Sequence, residues 1–354
     1  MRIDQFVPAF HRGDAIGDEA RHLRNFFRSR RFPSDIYRLT CDRGLEEESR
    51  PFLSFPAQEP GDIAILHFAL PSPLTRGLIE SRGKRVIIHH NITSPEFFAG
   101  FSEEMVNLAQ AGRRELGTLA SHVDLALADS EFNCQELRGL GFKKSEVFPL
   151  YIDFAKYEKP ASRFVRSLFA DNRTNILFVG RVVPNKKIED LIRVAFYYKK
   201  YISPLVRLIV VGKTGSLPKY YESLVCMADE FYLKPEEIVF TGHLPDEEMF
   251  AVYRACHVFL SMSEHEGFCL PLIESMIFDL PVVAFNSTAV PWTLDGAGVL
   301  LNTKRVDLAA ELVARVAHDA DIREAVIDGQ RRRLERFKKE RREEFLLRVL
   351  EGLG

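Results

Sequence analysis

The chain has 354 residues, 46% apolar and 28% charged, with 48 Lys plus Arg against 50 Asp plus Glu and a formal net charge of −2. That length exceeds one ordinary domain and suits two of about 150–180 residues, each apolar enough to bury a core, so a disordered or fibrous protein is excluded. A nearly neutral balance argues against a general nucleic-acid binder.

Short β-branched runs alternate with amphipathic stretches along the chain. Predicted strands are Met1–Val7, Asp35–Thr40, Asp62–Phe68, Arg85–His90, Val123–Ala128 and Glu146–Leu150. A second series follows at Asn175–Gly180, Val206–Gly212, Ile238–Thr241, Val258–Ser261, Pro281–Phe285 and Gly298–Leu301. Strand–helix alternation implies parallel sheets covered by helices, and two such series imply two doubly wound domains rather than a barrel. The join is expected near Tyr151–Thr174, which carries Pro160 and the Asp171-Asn172-Arg173 turn cluster. The last segment, Arg331–Leu353, is basic with helical periodicity, and Leu334, Phe337, Phe345, Leu346, Val349, Leu350 and Leu353 fall on one broad face. A terminal helix packed on a domain is favoured over a membrane-surface helix.

The five cysteines, Cys41, Cys134, Cys226, Cys256 and Cys269, are scattered without a CxxC pair, so neither a disulfide scaffold nor a zinc site is expected. A reducing, cytoplasmic setting is the default. His11, Arg12 and Asp14 interrupt the N-terminal apolar run, which does not read as a signal peptide. No stretch approaches the ~18 apolar residues of a membrane span.

Ligands of open α/β sheets bind beyond the carboxyl ends of the strands, and four segments lie there. Glu264-His265-Glu266-Gly267-Phe268-Cys269-Leu270-Pro271-Leu272-Ile273-Glu274 follows the strand Val258–Ser261. Pro271 suits the first turn of a helix, and the backbone amides of Phe268 to Leu272, Pro271 excepted, would then form an anion site fit for phosphate. Glu274, about one turn in, can accept two hydrogen bonds from a diol such as a ribose. An isolated glutamate there would be a first-turn residue favoured by the helix dipole. The Glu-Gly-Phe turn and the second glutamate favour the ligand reading.

Gly180-Arg181-Val182-Val183-Pro184-Asn185-Lys186-Lys187 follows Asn175–Val179. The Arg181 fork and the Lys186 point charge suit a diphosphate, although two solvated cations on a loop would look the same. In His11-Arg12-Gly13-Asp14-Ala15-Ile16-Gly17-Asp18, Gly13 and Gly17 let backbone approach a ligand and Asp18 can cap the next helix. An ordinary strand-to-helix turn is equally compatible. Of His89 and His90 at a strand end, adjacent residues face opposite ways, and His90 is the candidate for the ligand side. His67 holds a similar position with a weaker claim. Gly212-Lys213-Thr214 imitates the end of a P-loop, but Arg207 stands where the upstream glycine is required. No His, Cys or carboxylate spacing resembles a metal site.

Glu266-Gly267-Phe268 through Glu274 resembles the nucleotide-binding EX7E motif of retaining glycosyltransferase family 4, and Gly180-Arg181 with Lys186 resembles that family's phosphate-binding pair. The Gly13–Gly17 loop, His90 and Ala128-Asp129-Ser130-Glu131-Phe132 fit in order and spacing. The resemblance implies an α/β protein of GT-B fold, with two Rossmann-like doubly wound parallel-sheet domains facing a cleft. Residues 1–160 would form the acceptor-side domain, joined by a crossover helix at 331–354. Residues 161–330 would bind the nucleotide sugar. It further implies catalytic roles for Arg181, Lys186, Glu266 and His90, with Glu274 on the ribose. Gly267, Phe268, Cys269 and Leu270 would hold phosphate, His243 would lie by the base, and Gly13, Asp14 and Gly17 would line the donor. No metal or cofactor is implied. The donor would be GDP-mannose or a UDP-sugar, the preference for GDP-mannose resting on resemblance alone. The acceptor would be a saccharide or lipid-linked saccharide, with peripheral membrane contact in the latter case.

The sequence departs from the family where Lys187, Cys269 and Asp279 replace frequent glycines and Trp292 stands near a frequent acidic residue. A nucleotide-sugar epimerase or hydrolase of the same fold, a glycosidase using Glu266 and Glu274, and a catalytically silent interaction protein are the competing readings.

Overall fold

The computed structural model describes residues 1–11 and 13–353; Arg12 and Gly354 lie outside the described residues. The chain divides into two compact units, one of Met1–Pro95, Glu104–Ile152 and Arg341–Gly354, the other of Glu96–Glu103 and Asp153–Glu340.

The first unit contains β1 (Ile3–Phe10), α1 (Ala15–Ser29), β2 (Ile36–Cys41), β3 (Arg50–Pro51), β4 (Ile63–Phe68), α2 (Pro73–Glu80), β5 (Lys84–His89), α3 (Glu103–Leu119), β6 (Leu125–Ala128), α4 (Glu131–Gly139) and β7 (Ser145–Val147). Its seven strands run in the order β3-β2-β1-β4-β5-β6-β7, all parallel. The order reverses between β1 and β4, which opens a crevice at their carboxyl ends. Every residue of β4 is buried, as a strand covered on both faces requires. Asp14 caps α1, its carboxylate accepting the Gly17 N–H at 3.2 Å. The expected cap, Asp18, instead sits inside the helix and pairs with Arg21, because α1 starts directly after Asp14.

The second unit contains α5 (Arg163–Leu168), β8 (Thr174–Val179), α6 (Ile188–Tyr201), β9 (Val206–Val211), α7 (Pro218–Glu230), β10 (Ile238–Gly242), α8 (Asp246–Ala255), β11 (Val258–Ser261), α9 (Leu270–Ile277), β12 (Val282–Phe285), α10 (Val290–Leu294), β13 (Val299–Leu301), α11 (Val306–His318) and α12 (Ala320–Lys339). Its parallel sheet has the order β10-β9-β8-β11-β12-β13, with the switch between β8 and β11.

The expected single helix over 331–353 is two helices. α12 ends at Lys339, Glu340 and Arg341 leave helical geometry, and α13 (Arg342–Glu351) belongs to the first unit. The apolar face is divided accordingly. Leu334 and Phe337 are buried on α12, while Leu346, Leu350 and Leu353 join the core of Ile3, Leu23, Phe27, Ile65 and Ile88. This is the packed-helix reading of that face. Among the described residues no helix is long and apolar enough to cross a membrane.

Candidate functional site

In the second unit the loops after β8 and β11 meet at the switch point. The close approach begins with glycine: a Cβ on Gly212, at the end of β9, would lie 2.0 Å from the carbonyl oxygen of Gly180. The Gly212-Lys213-Thr214 segment therefore owes its glycine to strand packing. Asn185 ties the two loops together, accepting the Glu264 N–H at its carbonyl (2.8 Å) and donating its side-chain amide to the His265 carbonyl (2.9 Å). The next residue, Lys186, donates to both carboxylate oxygens of Glu266, at 2.7 and 2.6 Å. Both side chains are largely buried, and Lys186 and Glu266 face one another across 80 residues of sequence. Arg181 is exposed, and among the described residues it has no hydrogen-bond or ion-pair partner.

Glu266 is held from a third loop. Its backbone N–H donates to Thr288 Oγ1 at 2.8 Å. Thr288 has φ of +43°, a conformation that a β-branched residue adopts only where its surroundings force it. Ser287 Oγ donates to the Ser263 carbonyl at 2.6 Å and the Ala289 N–H to the Glu266 carbonyl at 3.4 Å, so the loop after β12 braces the loop after β11 at three points.

Phe268 packs against Trp292 and Phe337, and its carbonyl accepts the Thr293 hydroxyl. Cys269 is the N-cap of α9 with φ of +67°. Burial first, then the charge of Glu266, pushes its thiol well above the ordinary range. Leu272 N–H bonds back to the Cys269 carbonyl, which leaves the amides of Phe268, Cys269 and Leu270 without an acceptor among the described residues. Together with the helix dipole they form a place for an anion.

Glu274 lies one turn into α9 and is buried. Tyr157 donates to its Oε1 at 3.0 Å and Tyr253 to its Oε2 at 2.8 Å. Burial raises its carboxyl above the ordinary glutamate range, and the two hydroxyls oppose that shift. Each oxygen keeps one lone pair beyond its tyrosine, so a diol would share the carboxylate with the two hydroxyls. His243 is exposed and lines an open pocket of about 410 Å³ with Lys213, Thr214, Gly215, Ser216 and Gly242.

The expected residues of the first unit separate by environment. Gly13 is exposed with φ of +68°. Asp14 is occupied as the cap of α1, and Gly17 lies inside that helix, where a Cβ would come within 2.9 Å of the His11 carbonyl oxygen. His89 and His90 do face opposite ways: His89 meets Glu136 on α4, and His90 meets Asp129 and His67. The His90 ring, however, is 2% exposed, so it is not an open ligand-facing side chain.

Thr288, Asn185, Tyr157 and Tyr253 were missed by sequence reasoning. Asn185 stands beside Lys186 in a quoted segment but was given no role, the other three belong to no motif, and each reaches the site through a contact distant in sequence. Gln5 and Asp4, both fully buried on β1, were likewise not named from the sequence, which singled out only His67, His89 and His90 for polar chemistry in the first sheet.

Residues 161–333 match the family described as Glycosyl transferases group 1. The chain is 28% identical over 127 residues to the serotype-specific mannosyltransferase WbdA of Escherichia coli, a match covering 36% of this chain and 15% of that one. It is 25% identical over 273 residues to a GDP-mannose-dependent alpha-mannosyltransferase of Mycobacterium tuberculosis, covering 75% of this chain and 66% of the relative. The match thus spans a small part of WbdA and about two thirds of the mycobacterial relative. The structure of Anabaena HepE in complex with UDP and glucose is similar with a TM-score of 0.78 at 18% identity, over 99% of this chain and 100% of that one. The loops after β8 and β11 and the start of α9 fall inside the matched segment. Residues 161–333 are a glycosyl transferases group 1 domain, carried by a chain of GT-B fold.

Proposed function

We propose that the chain is a retaining glycosyltransferase that moves a hexose from a nucleotide-diphosphate sugar to a hydroxyl of a saccharide or lipid-linked acceptor, in cell-surface polysaccharide or glycolipid synthesis. The observation that carries this reading is the convergence at one switch point of Arg181, the Lys186–Glu266 pair and the unpaired amides of Phe268–Leu270. GDP-mannose is the favoured donor, supported by the name of the mycobacterial relative.

As the bond from the anomeric carbon to the leaving oxygen breaks, its electron pair passes to the diphosphate. Arg181, Lys186 and the α9 amides stabilise that charge, and preorganised donors of this kind are often the largest catalytic contribution. Glu266, relieved of part of its hold on Lys186 by the phosphate, accepts hydroxyls of the sugar. Glu274 accepts the ribose hydroxyls, and the loop of His243 borders the base. In the retaining reaction the departing phosphate oxygen takes the proton of the acceptor hydroxyl, which enters on the same face. The acceptor is assigned to the first unit. With these cations in place the reaction is proposed to need no metal.

The test is thermal shift and turnover with GDP, UDP and ADP and their common sugar conjugates, in EDTA and then with Mg²⁺. A ligand at 100 times its Kd stabilises the fold by about 2.7 kcal/mol. A metal-independent shift with one nucleotide, lost in Glu274→Ala, and sugar transfer from its conjugate are expected. Nucleotide binding without transfer to any acceptor, but with release of free sugar, would make the chain a hydrolase. No shift with any nucleotide would overturn the proposal in favour of an interaction protein.

A further inference from the structure

A hydrogen-bonded chain crosses four adjacent strands of the first sheet, from Gln5 in the first half of β1 to the carboxyl ends of β4, β5 and β6. Gln5 on β1 donates its side-chain amide to the Ala20 carbonyl at 2.9 Å, which turns Gln5 Oε1 toward β4. There it lies 2.9 Å from Nε2 of His67. Nδ1 of His67 lies 2.9 Å from Nε2 of His90, just past β5. Nδ1 of His90 then meets both oxygens of Asp129, just past β6, at 3.0 and 3.1 Å. The two rings are parallel within 5°, and His67, His90 and Asp129 are buried.

The protons can be counted. Gln5 Oε1 can only accept, and so can a carboxylate at Asp129. The three contacts from Gln5 to Asp129 each need one proton between them. Two neutral imidazoles carry two N–H groups in total, so the chain needs one proton more than neutral rings supply. An ordinary imidazole holds that proton more tightly than an aspartate carboxyl, with reference values of about 6.5 against 3.9. We propose that the His67–His90 pair carries one resident extra proton, so that His90 is an imidazolium with Asp129 as its counter-ion, while Gln5 and His67 are positioning residues that fix its two N–H directions.

The surrounding charges place the proton on His90 rather than His67. Asp129, Glu19 on α1 and Asp14 before it face His90, whereas Arg342 at the start of α13 faces His67. Burial acts against a charge on either ring. Asp129 outweighs it at His90, which is shifted up, and nothing does at His67, which is shifted well down. The consequence is chemical: an imidazolium with both nitrogens committed cannot serve as a general base. It is a fixed positive charge at the crevice of the first sheet. The proton count stands whatever reaction the chain runs; only its effect on turnover rests on the glycosyltransferase reading.

The test is ring-nitrogen NMR of the full chain labelled in histidine, at pH 7.5. The wild type should show one histidine with both nitrogens protonated, assigned by its loss in His90→Gln. Asp129→Asn should convert that ring to a neutral one at the same pH. His67→Gln should preserve it, since a glutamine can accept from His90 and donate to Gln5 as His67 does. His67→Phe, which removes the acceptor, should not. Initial rates with a donor found active should be flat between pH 6 and 8 in wild type and fall with rising pH in Asp129→Asn, in kcat more than in KM. A wild-type spectrum with both rings neutral at pH 7.5 overturns the proposal, even if Asp129→Asn does not fold. So does an unchanged imidazolium in Asp129→Asn. A resident imidazolium with no sugar transfer from any donor would uphold the proton count while the glycosyltransferase reading falls.

Discussion

Lys186 Nζ lies 2.6 and 2.7 Å from the two carboxylate oxygens of Glu266, so the two charges already neutralise one another. Removing one partner leaves the other buried and uncompensated, which costs about 3 kcal/mol or more. Lys186→Ala is therefore expected to lower both stability and turnover, the latter by about 10²-fold by analogy with loss of one oxyanion donor. The double variant Lys186→Met/Glu266→Gln separates the two effects. It should recover most of the lost Tm and none of the lost turnover. Recovery of turnover would show that Lys186 serves the fold and not the phosphate.

Tyr253 should tune nucleotide binding through Glu274. Its hydroxyl, 2.8 Å from Oε2, lowers a carboxyl that burial has raised. Tyr253→Phe removes the opposing contact and moves the Glu274 carboxyl further up. Ribose hydroxyls bind best to the ionised carboxylate, so the acid limb of nucleotide affinity should shift to higher pH in this variant. Loss of a hydrogen bond to a charged group also costs about 1.5–3 kcal/mol of stability. Calorimetric titration with the active nucleotide from pH 5 to 8 checks the shift. An unmoved acid limb would separate Glu274 from the nucleotide.

The strands were legible because parallel strands buried on both faces must be β-branched or aliphatic runs, as Val206-Arg207-Leu208-Ile209-Val210-Val211 is. β3 escaped because Arg50–Pro51 has two exposed residues and no hydrophobic signal. The break at Glu340–Arg341 escaped because the local sequence favours helix throughout; tertiary burial of Phe337 in one unit and Leu346 in the other imposes it. At the site, Arg181, Lys186, Glu266 and Glu274 could be named from the local segments that hold them and from the family resemblance those segments carry. Their supports could not: Thr288, Asn185 and Tyr157 act across 22, 80 and 117 residues, and no local pattern marks them. The departures from family glycines were legible as departures only. In the structure Lys187, Cys269 and Asp279 all have positive φ, of +53°, +67° and +50°. The chain keeps the left-handed backbone and places L side chains on it.

Those three positions should reverse the usual ranking of glycine and alanine. At Cys269 the left-handed conformation costs a side chain about 1–2 kcal/mol. Glycine escapes that cost but loses about 0.5–1 kcal/mol through its looser unfolded chain. Cys269→Gly is therefore expected to be more stable than Cys269→Ala by about 1 kcal/mol, a difference of roughly 2–4 °C in Tm for a unit of this size. Both variants lose the thiol beside Glu266 equally, so the comparison isolates the backbone. Thermal unfolding of the pair decides it, and an alanine variant equal to or above glycine would contradict a left-handed Cys269.

Acid should release α13 from α1. His22 Nε2 and Glu343 Oε1 are 2.7 Å apart, and His22 stacks on Tyr151 with ring centroids 3.5 Å apart. The contact with His22, opposed by burial, holds the Glu343 carboxyl down to about 2. A carboxyl whose folded value lies below its unfolded one, near 4.5, adds stability that is complete above the unfolded value. That stability is lost as pH falls from about 4.5 toward 2. Glu343→Gln should accordingly lie below wild type in denaturant midpoint at pH 5.5, with the gap narrowing below about pH 4.5 and closing only as the pH nears 2. The unfolding curves are best followed by a probe in the first unit, since α13 packs in that core through Leu346 and Leu350. A gap that stays constant with pH would mean that Glu343 contributes by shape and neutral hydrogen bonding, and that its ionisation is not coupled to folding.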